Sequence, residues 1–320
     1  MHTALLLSWL EQPACLLVMA VILEWLLPLP LALRPSALVP LLERLAHKVN
    51  RRDHPPAQQW LAGLLTPMVV LLPALLGTWA LRNLSLYTGL FDLLLLLWLL
   101  EWRPLKAEIQ ALQQLLRADK ISMARLQLAR WTRRDTSKLS KMGLSKAASE
   151  MLILRWLGQW FGVACWYLLT GIEGALAFRL VQLMAQAFTP KLPRNLLFGE
   201  LTSRLYRLLA LLPGWLAALL LGAFPGGGNA LRAAFSQAKQ WHGSGSGALL
   251  SAMAAGFGLS LGGPRYYLEQ KVRYVRMGGS GEPDPTSPIR IRHRLNRLMF
   301  ILLFLMVVFS GLAWHAQHLS

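Results

Sequence analysis

A chain of 320 residues that is 55 % hydrophobic and only 15 % charged, with a mean hydropathy of +0.41, carries fewer charges than the about 25 % usual in soluble domains. Its apolar residues form long runs. That excludes an ordinary soluble protein and indicates an all-α fold, a polytopic integral membrane helical bundle with cytoplasmic amphipathic helices. The formal net charge of +18 is dispersed between the apolar runs, as in cytoplasmic loops that face anionic lipid. Membrane lipids, and no nucleic acid, are the partners this charge implies.

Met1 to Leu27 is apolar apart from His2, Glu11 and Glu24. It has no basic leader, and its apolar core exceeds the roughly 7–15 residues of a secretory signal. A first membrane helix is therefore predicted at about 4–27, ended by Pro28 and Pro30. A basic stretch with Arg34, Arg44, Lys48, Arg51 and Arg52 runs to Trp60. Spans at about 61–81 and 86–102, joined by Arg82 to Ser85, are near the ~20 residues needed to cross the hydrocarbon and form a tight helical hairpin. Asp92 inside the third span is either a functional or bundle-facing carboxylate or one near a helix end that reaches the interface.

Residues 103–150 are the largest polar block. Leu105, Ile109, Leu112, Leu115 and Leu116 recur at helical spacing, as do Met123, Leu126 and Leu128, which predicts amphipathic helices. Apolar segments follow at about 151–188, 205–224 and, rich in small residues, 248–261, where Gly262-Gly263-Pro264 closes the helix. These segments place N-terminal membrane helices in 1–102 and a second region in 103–268. A basic mobile loop at 269–297, centred on Gly278 to Pro288, and a C-terminal membrane helix at 298–320 complete the chain. The excess of Lys and Arg puts 28–60, 103–150, 189–204 and 265–297 in the cytoplasm, with both termini outward. The run at 151–188 must then go in and come back, as a helical hairpin or as one span with a re-entrant helix.

Cys15 and Cys165 lie in apolar runs and read as small buried hydrophobes; the scattered histidines support no metal site. Gly226-Gly227-Gly228 lacks the Lys-Ser/Thr of a phosphate loop. The run Gly243 to Gly247 is either a flexible turn or an anion-binding start of the following helix. Arg155, Glu173 and Arg179 interrupt an apolar run, so each needs a partner on another helix or must snorkel.

From residue 119 onward the order of features resembles the CobD/CbiB family. The matching residues are Ala124-Arg125, Arg134-Asp135-Thr136 with Leu139, Ala147 and Glu150, then Gly174-Ala175-Leu176 with Arg179 and Phe198-Gly199. Arg204-Leu205, Pro213, Ala252-Met253-Ala254, Leu261-Gly262-Gly263-Pro264 and Tyr266-Tyr267 complete the series. The resemblance implies an integral membrane protein of cobalamin biosynthesis that joins aminopropanol or its phosphate in amide linkage to adenosylcobyric acid, with ATP and Mg²⁺ as cofactors and a corrinoid as substrate. Carried onto this chain, it implies Asp135 and Glu150 as catalytic residues, Arg134, Arg179, Gly262 and Gly263 as substrate-binding residues, and no assigned metal ligand. The departures fall mainly on carboxylates and carboxamides. Leu154, Arg155, Gly158 and Gln159, then Gln182 to Ala185, then Tyr206, Arg207, Ala210 and Trp215 stand at the family's polar positions. Such replacements keep helix packing but remove oxygen ligands for Mg²⁺. A non-catalytic regulator similar to AmpE is the alternative, and a plainer role for Asp135 is to cap a helix beginning near Thr136.

Overall fold

The computed structural model describes residues 12–27, 29–51, 54–267 and 270–319; the expected first turns at 4–11 and Arg52 lie outside them. Helix α1 (Pro13–Leu26) starts on a proline, whose missing N–H costs nothing at a helix N-terminus. The basic stretch that follows is not plain loop: α2 (Leu38–Val49) buries Val39, Leu42 and Ala46 along one face. Helices α3 (Pro56–Leu84) and α4 (Thr88–Leu99) form a hairpin, but α4 has only 12 residues, short of the ~20 that the expected span at 86–102 needs to cross the hydrocarbon. Arg82 closes the hairpin with a two-pronged pair to Asp92, at 2.9 and 3.2 Å. Asp92 is thus both buried and in the first turns of α4, and its role is to tie the hairpin.

Among the described residues, four helices are long and apolar enough to cross a membrane: Pro56–Leu84, Lys141–Ala187, Glu200–Ala223 and Ser287–His315. Only 17 % of the most apolar window of α3 is buried, so Leu65, Val69, Leu72 and Leu76 present their surface outward, as a lipid-facing helix must. Helix α5 (Pro104–Arg117) buries Leu105, Ile109, Leu112 and Leu116, the stripe its spacing predicts. Helix α6 (Ile121–Ala129) differs. It turns Ala124 and Leu128 inward and leaves Met123 and Leu126 exposed.

The chain between Lys141 and Ala187 runs through α7 (Lys141–Trp156), a π-type turn (Leu157–Phe161) and α8 (Gly162–Ala187). It does not go straight. Gly171 has φ 80° and ψ −166°, a region that only glycine adopts readily, and there the helix reverses. A Cβ built on Gly162 would stand 2.2 Å from Cζ of Phe178, and one on Gly158 3.1 Å from Cγ of Gln182. An unbroken helix would hold Gly162 and Phe178 about 24 Å apart. The run at 151–188 is therefore a helical hairpin, and Gly158 and Gly162, one helical turn apart, let its arms close. Trp156, Trp160 and Phe161 stack beside this seam, with ring centroids 5.6 and 4.8 Å apart for the pairs made by Trp156. Gly171→Ala should cost about 1–3 kcal/mol and lower the thermal unfolding midpoint in detergent; an unchanged midpoint would show that the reversal tolerates a side chain.

Helices α9 (Glu200–Leu209), α10 (Leu211–Leu220) and α11 (Gly227–Gln237) lead to α12 (Ser244–Gly256). Helix α12 packs against α7, α10 and α11, burying Ala248, Leu249, Ala252 and Met253. The glycine–serine run is not a flexible linker: Gly243 is the N-cap and Ser244 to Gly247 the first turn. Nor does α12 reach Leu261. After Gly256 the chain becomes strand β1 (Ser260–Gly262), followed by β2 (Arg265–Tyr267), β3 (Gln270–Val272) and β4 (Arg276–Gly278). β1 pairs antiparallel with β4, setting Gly262 opposite Arg276, and β2 with β3, setting Arg265 opposite Val272. Positive φ angles of 81° and 87° at Gly262 and Gly263 turn the chain between the two ribbons. The last helix, α13 (Ser287–Leu319), starts eleven residues before the expected Leu298. Asp284 makes that start by accepting the backbone N–H groups of Thr286 and Ser287 at 2.9 and 2.7 Å. Against the pull of burial, the hydroxyls of Thr286 and Ser287, which also donate to it, and nearby Arg290 hold its carboxyl at about 2. Much of the segment read as a mobile basic loop is thus ribbon and helix.

Candidate functional site

Three separate parts of the chain converge on Glu150, on the inner face of α7 and 1 % exposed. Its Oε1 accepts the backbone N–H of Gly262 at 2.6 Å. Its Oε2 lies 3.1 Å from Arg134 and 3.0 Å from Arg265. Arg134 reaches it because the preceding loop is pinned. The N–H of Asp135 bonds to the carbonyl of Tyr266 at 2.8 Å, the Thr136 hydroxyl to the carbonyl of Arg125, and Arg125 in turn to the carbonyl of Leu139. The glycine turn brings Arg265 in from the opposite side. A carboxylate removed from water is tolerated only when paired and hydrogen-bonded, and Glu150 meets both conditions.

Arg265 is also sandwiched, with its guanidinium 4.3 Å from the ring centre of Tyr274 and 4.9 Å from that of Trp241. Burial pulls its pKa down, but Glu150 and the Tyr267 and Tyr274 phenols outweigh this and leave it above the ordinary arginine value. Burial is the larger effect on Arg134, which sits below that value. The Lys191 ammonium lies 5.2 Å from the ring centre of Tyr267 and 5.7 Å from that of Tyr274, within the range of a cation–π contact. His242 packs edge-on against Tyr274 at 4.7 Å. Lys146, one turn before Glu150 on α7, lies within electrostatic reach of Glu150, Arg134, Arg265 and Arg276. Its Nζ is 3.6 Å from where a Cβ on Gly263 would stand. Cations therefore outnumber the one buried carboxylate, around a turn whose backbone carries no side chains.

The structure thus brings together Arg134, Glu150, Gly262 and Gly263, with Asp135 at the rim. Asp135 does not cap a helix at Thr136. Its Oδ1 accepts the N–H of Ser137 at 2.8 Å, a local turn that, with the Ser137 hydroxyl, keeps its carboxyl below the usual range. The next helix starts only at Lys141, capped by Ser140. Arg179 stands apart from this group. It is fully buried in α8, 2.5 Å from Glu101 and 2.6 Å from Gln182, and Glu101 also accepts the Ser36 hydroxyl. Arg155, on the same hairpin, donates to the carbonyl of Trp131 and lies over its ring, so both arginines have partners inside the protein rather than at the interface.

Sequence reasoning missed Lys146, Lys191, Arg265, Tyr274 and Glu101. Arg265 directly follows the Leu-Gly-Gly-Pro element, so its signal was adjacency to a motif. Lys191 carries no pattern that separates it from other loop lysines. As for Mg²⁺, the donor set does not fit. Glu150 is occupied by two arginines and an N–H, cations surround it, and no group of three or more metal-ligating side chains occurs among the described residues.

The pattern match is extensive: the family model described as CobD/Cbib protein matches residues 17–298. The chain belongs to the CobD/CbiB family. Relatives named cobalamin biosynthesis protein CobD include one from Chromobacterium violaceum, 29 % identical over 90 % of this chain and 94 % of its own. Another, from Stutzerimonas stutzeri, is 26 % identical over 69 % of this chain and 73 % of its own. A third, from Rhizobium meliloti, is 31 % identical over 52 % of this chain and 53 % of its own. No solved structure matches. The matched range takes in Arg134, Glu150, Arg265 and the glycine turn, so the whole cluster lies on the CobD/CbiB scaffold.

Proposed function

We propose that this protein acts in the amide-forming step of cobalamin biosynthesis from the cytoplasmic face of the bacterial inner membrane, and that the Glu150 cluster receives the phosphate-bearing part of the reactants. The observation that carries this reading is the clamp itself. Glu150 fixes two arginines and the Gly262 N–H, while Lys146 and Arg276 beside the Gly263 turn have no carboxylate of their own among the contacts described. Charge-assisted hydrogen bonds from such groups suit phosphate, and a glycine backbone lets an anion approach closely. In this reading Glu150 positions the arginines, and Asp135, ionised at the rim, is the carboxylate placed to meet the amine of the acceptor. The ATP that the family resemblance implies would bring its phosphates to the same cations.

The apolar and basic residues at the family's acidic positions, among them Leu154, Arg155, Ala185 and Tyr206, favour a second reading, a non-catalytic AmpE-like protein that binds an anion on the same scaffold. Complementation separates the two. A strain lacking its only adenosylcobinamide-phosphate synthase, given this gene, should grow on cobyric acid as corrinoid source, and Lys146→Gln should reduce that rescue while the protein remains in the membrane. No growth, with the wild-type protein shown by immunoblot in the membrane fraction, would remove the enzymatic reading and leave the regulator.

A further inference from the structure

A second basic site lies away from Glu150, at the start of the last membrane helix. A cavity of about 380 Å³ opens between Phe224, Pro225 and Phe257 on one side and Arg290, His293, Arg294 and Arg297 of α13 on the other. The basic residues recur every three or four positions and so share one helical face. Arg294 is built in: its guanidinium lies 3.7 Å from the ring centre of Phe257, and it donates to the carbonyl of Gly256 at 3.1 Å. Arg290 is held 3.4 Å from Asp284, and Arg297 is exposed. Asp284 is the one acidic partner these arginines have among the described ion pairs.

What lies above this cavity identifies its occupant. Along the same face, one turn at a time, Arg297 is followed by Ile301, Phe304 or Leu305, and Val308, all exposed, with Phe304 at 68 %. Helix α13 is a membrane-spanning helix by length and composition, so this apolar stripe faces acyl chains. The arginines stand where its polar start meets the headgroup layer. A cationic cavity continuous with a lipid-facing stripe matches a molecule with an anionic head and apolar tails, and basic pockets at this depth are suited to acidic headgroups. We propose that this cavity is a binding site for an anionic phospholipid, the phosphate and headgroup lying among Arg290, Arg294 and Arg297 and the acyl chains along Ile301 to Val308.

The test uses the full chain, purified and delipidated in mild detergent, with phosphatidylglycerol and phosphatidylcholine titrated separately and bound lipid counted by native mass spectrometry. Phosphatidylglycerol should bind at least about ten-fold more tightly than phosphatidylcholine. Arg297→Gln should weaken phosphatidylglycerol about five-fold and the Arg290→Gln/Arg297→Gln pair about 25-fold, with phosphatidylcholine unchanged. Arg297→Lys keeps the charge and should keep the preference, which separates loss of charge from loss of fold. Equal binding of the two lipids, or a preference that survives the double substitution, would overturn the proposal. So would displacement of phosphatidylglycerol by millimolar inorganic phosphate, since that would mark a site for a soluble anion.

Discussion

Glu150→Ala should cost about 3–5 kcal/mol, the usual consequence of removing one member of a buried ion pair. Arg134 and Arg265 would be left close together without a counter-charge, and the Gly262 N–H would lose its acceptor, itself a loss of about 1–3 kcal/mol when the group stays buried. The expected readouts are a large drop in the thermal unfolding midpoint in detergent and reduced accumulation in the membrane fraction. Glu150→Gln keeps an acceptor for Gly262 and should fall between wild type and alanine. If the alanine variant melts with the wild type, the arginines have another partner and the clamp is not what orders the glycine turn. This effect on folding also separates Glu150 from Lys146, whose replacement is expected to change ligand binding with little change in melting.

The second large effect lies inside the hairpin. Arg179→Met should destabilise by about 3–5 kcal/mol, because Glu101 would remain buried with only the Ser36 hydroxyl. Glu101→Gln in the same chain should recover much of that loss, since two neutral groups carry no uncompensated charge; the recovery is the coupling between the two positions. Unfolding midpoints of the two single variants and the double variant complete the cycle. Additive losses would mean that Arg179 and Glu101 act independently, despite the 2.5 Å between them. A purely structural part for Arg179 further predicts that the double variant keeps whatever activity the wild type has.

These two positions also illustrate what the sequence could and could not convey. Arg179 drew notice as a charge inside an apolar run, where a charge needs a reason, and Glu150 through the family resemblance. Which of them belonged with Arg134 could not be read from spacing, because Glu150 meets residues from both sides of the chain, and a contact such as that with Gly262 leaves no periodic trace. The spans were legible where hydropathy alone decides, as in Leu61 to Leu81, and the return at 151–188 followed from the charge of its flanks. The place of the return, Gly171, did not stand out, since glycine is ordinary in membrane helices. Strands of three residues, such as Ser260–Gly262, are too short for alternation to register. The start of α13 was hidden for a different reason. Its first turns carry arginines on several faces and read as loop, although Ile291, Leu295 and Leu298 are the residues that dock it against the bundle.

The reversal at Gly171 has a consequence for where the cations of the Glu150 cluster stand. A straight run from Lys141 to Ala187 would be about 70 Å long, more than twice the roughly 30 Å hydrocarbon thickness. Lys146 near one end and Lys191 just past the other would then be stranded in different aqueous compartments. Because the chain turns back, the detour is neutral in sidedness, and its two ends return to a common rim beside Arg265. One glycine torsion therefore decides whether these charges can ever meet the same molecule.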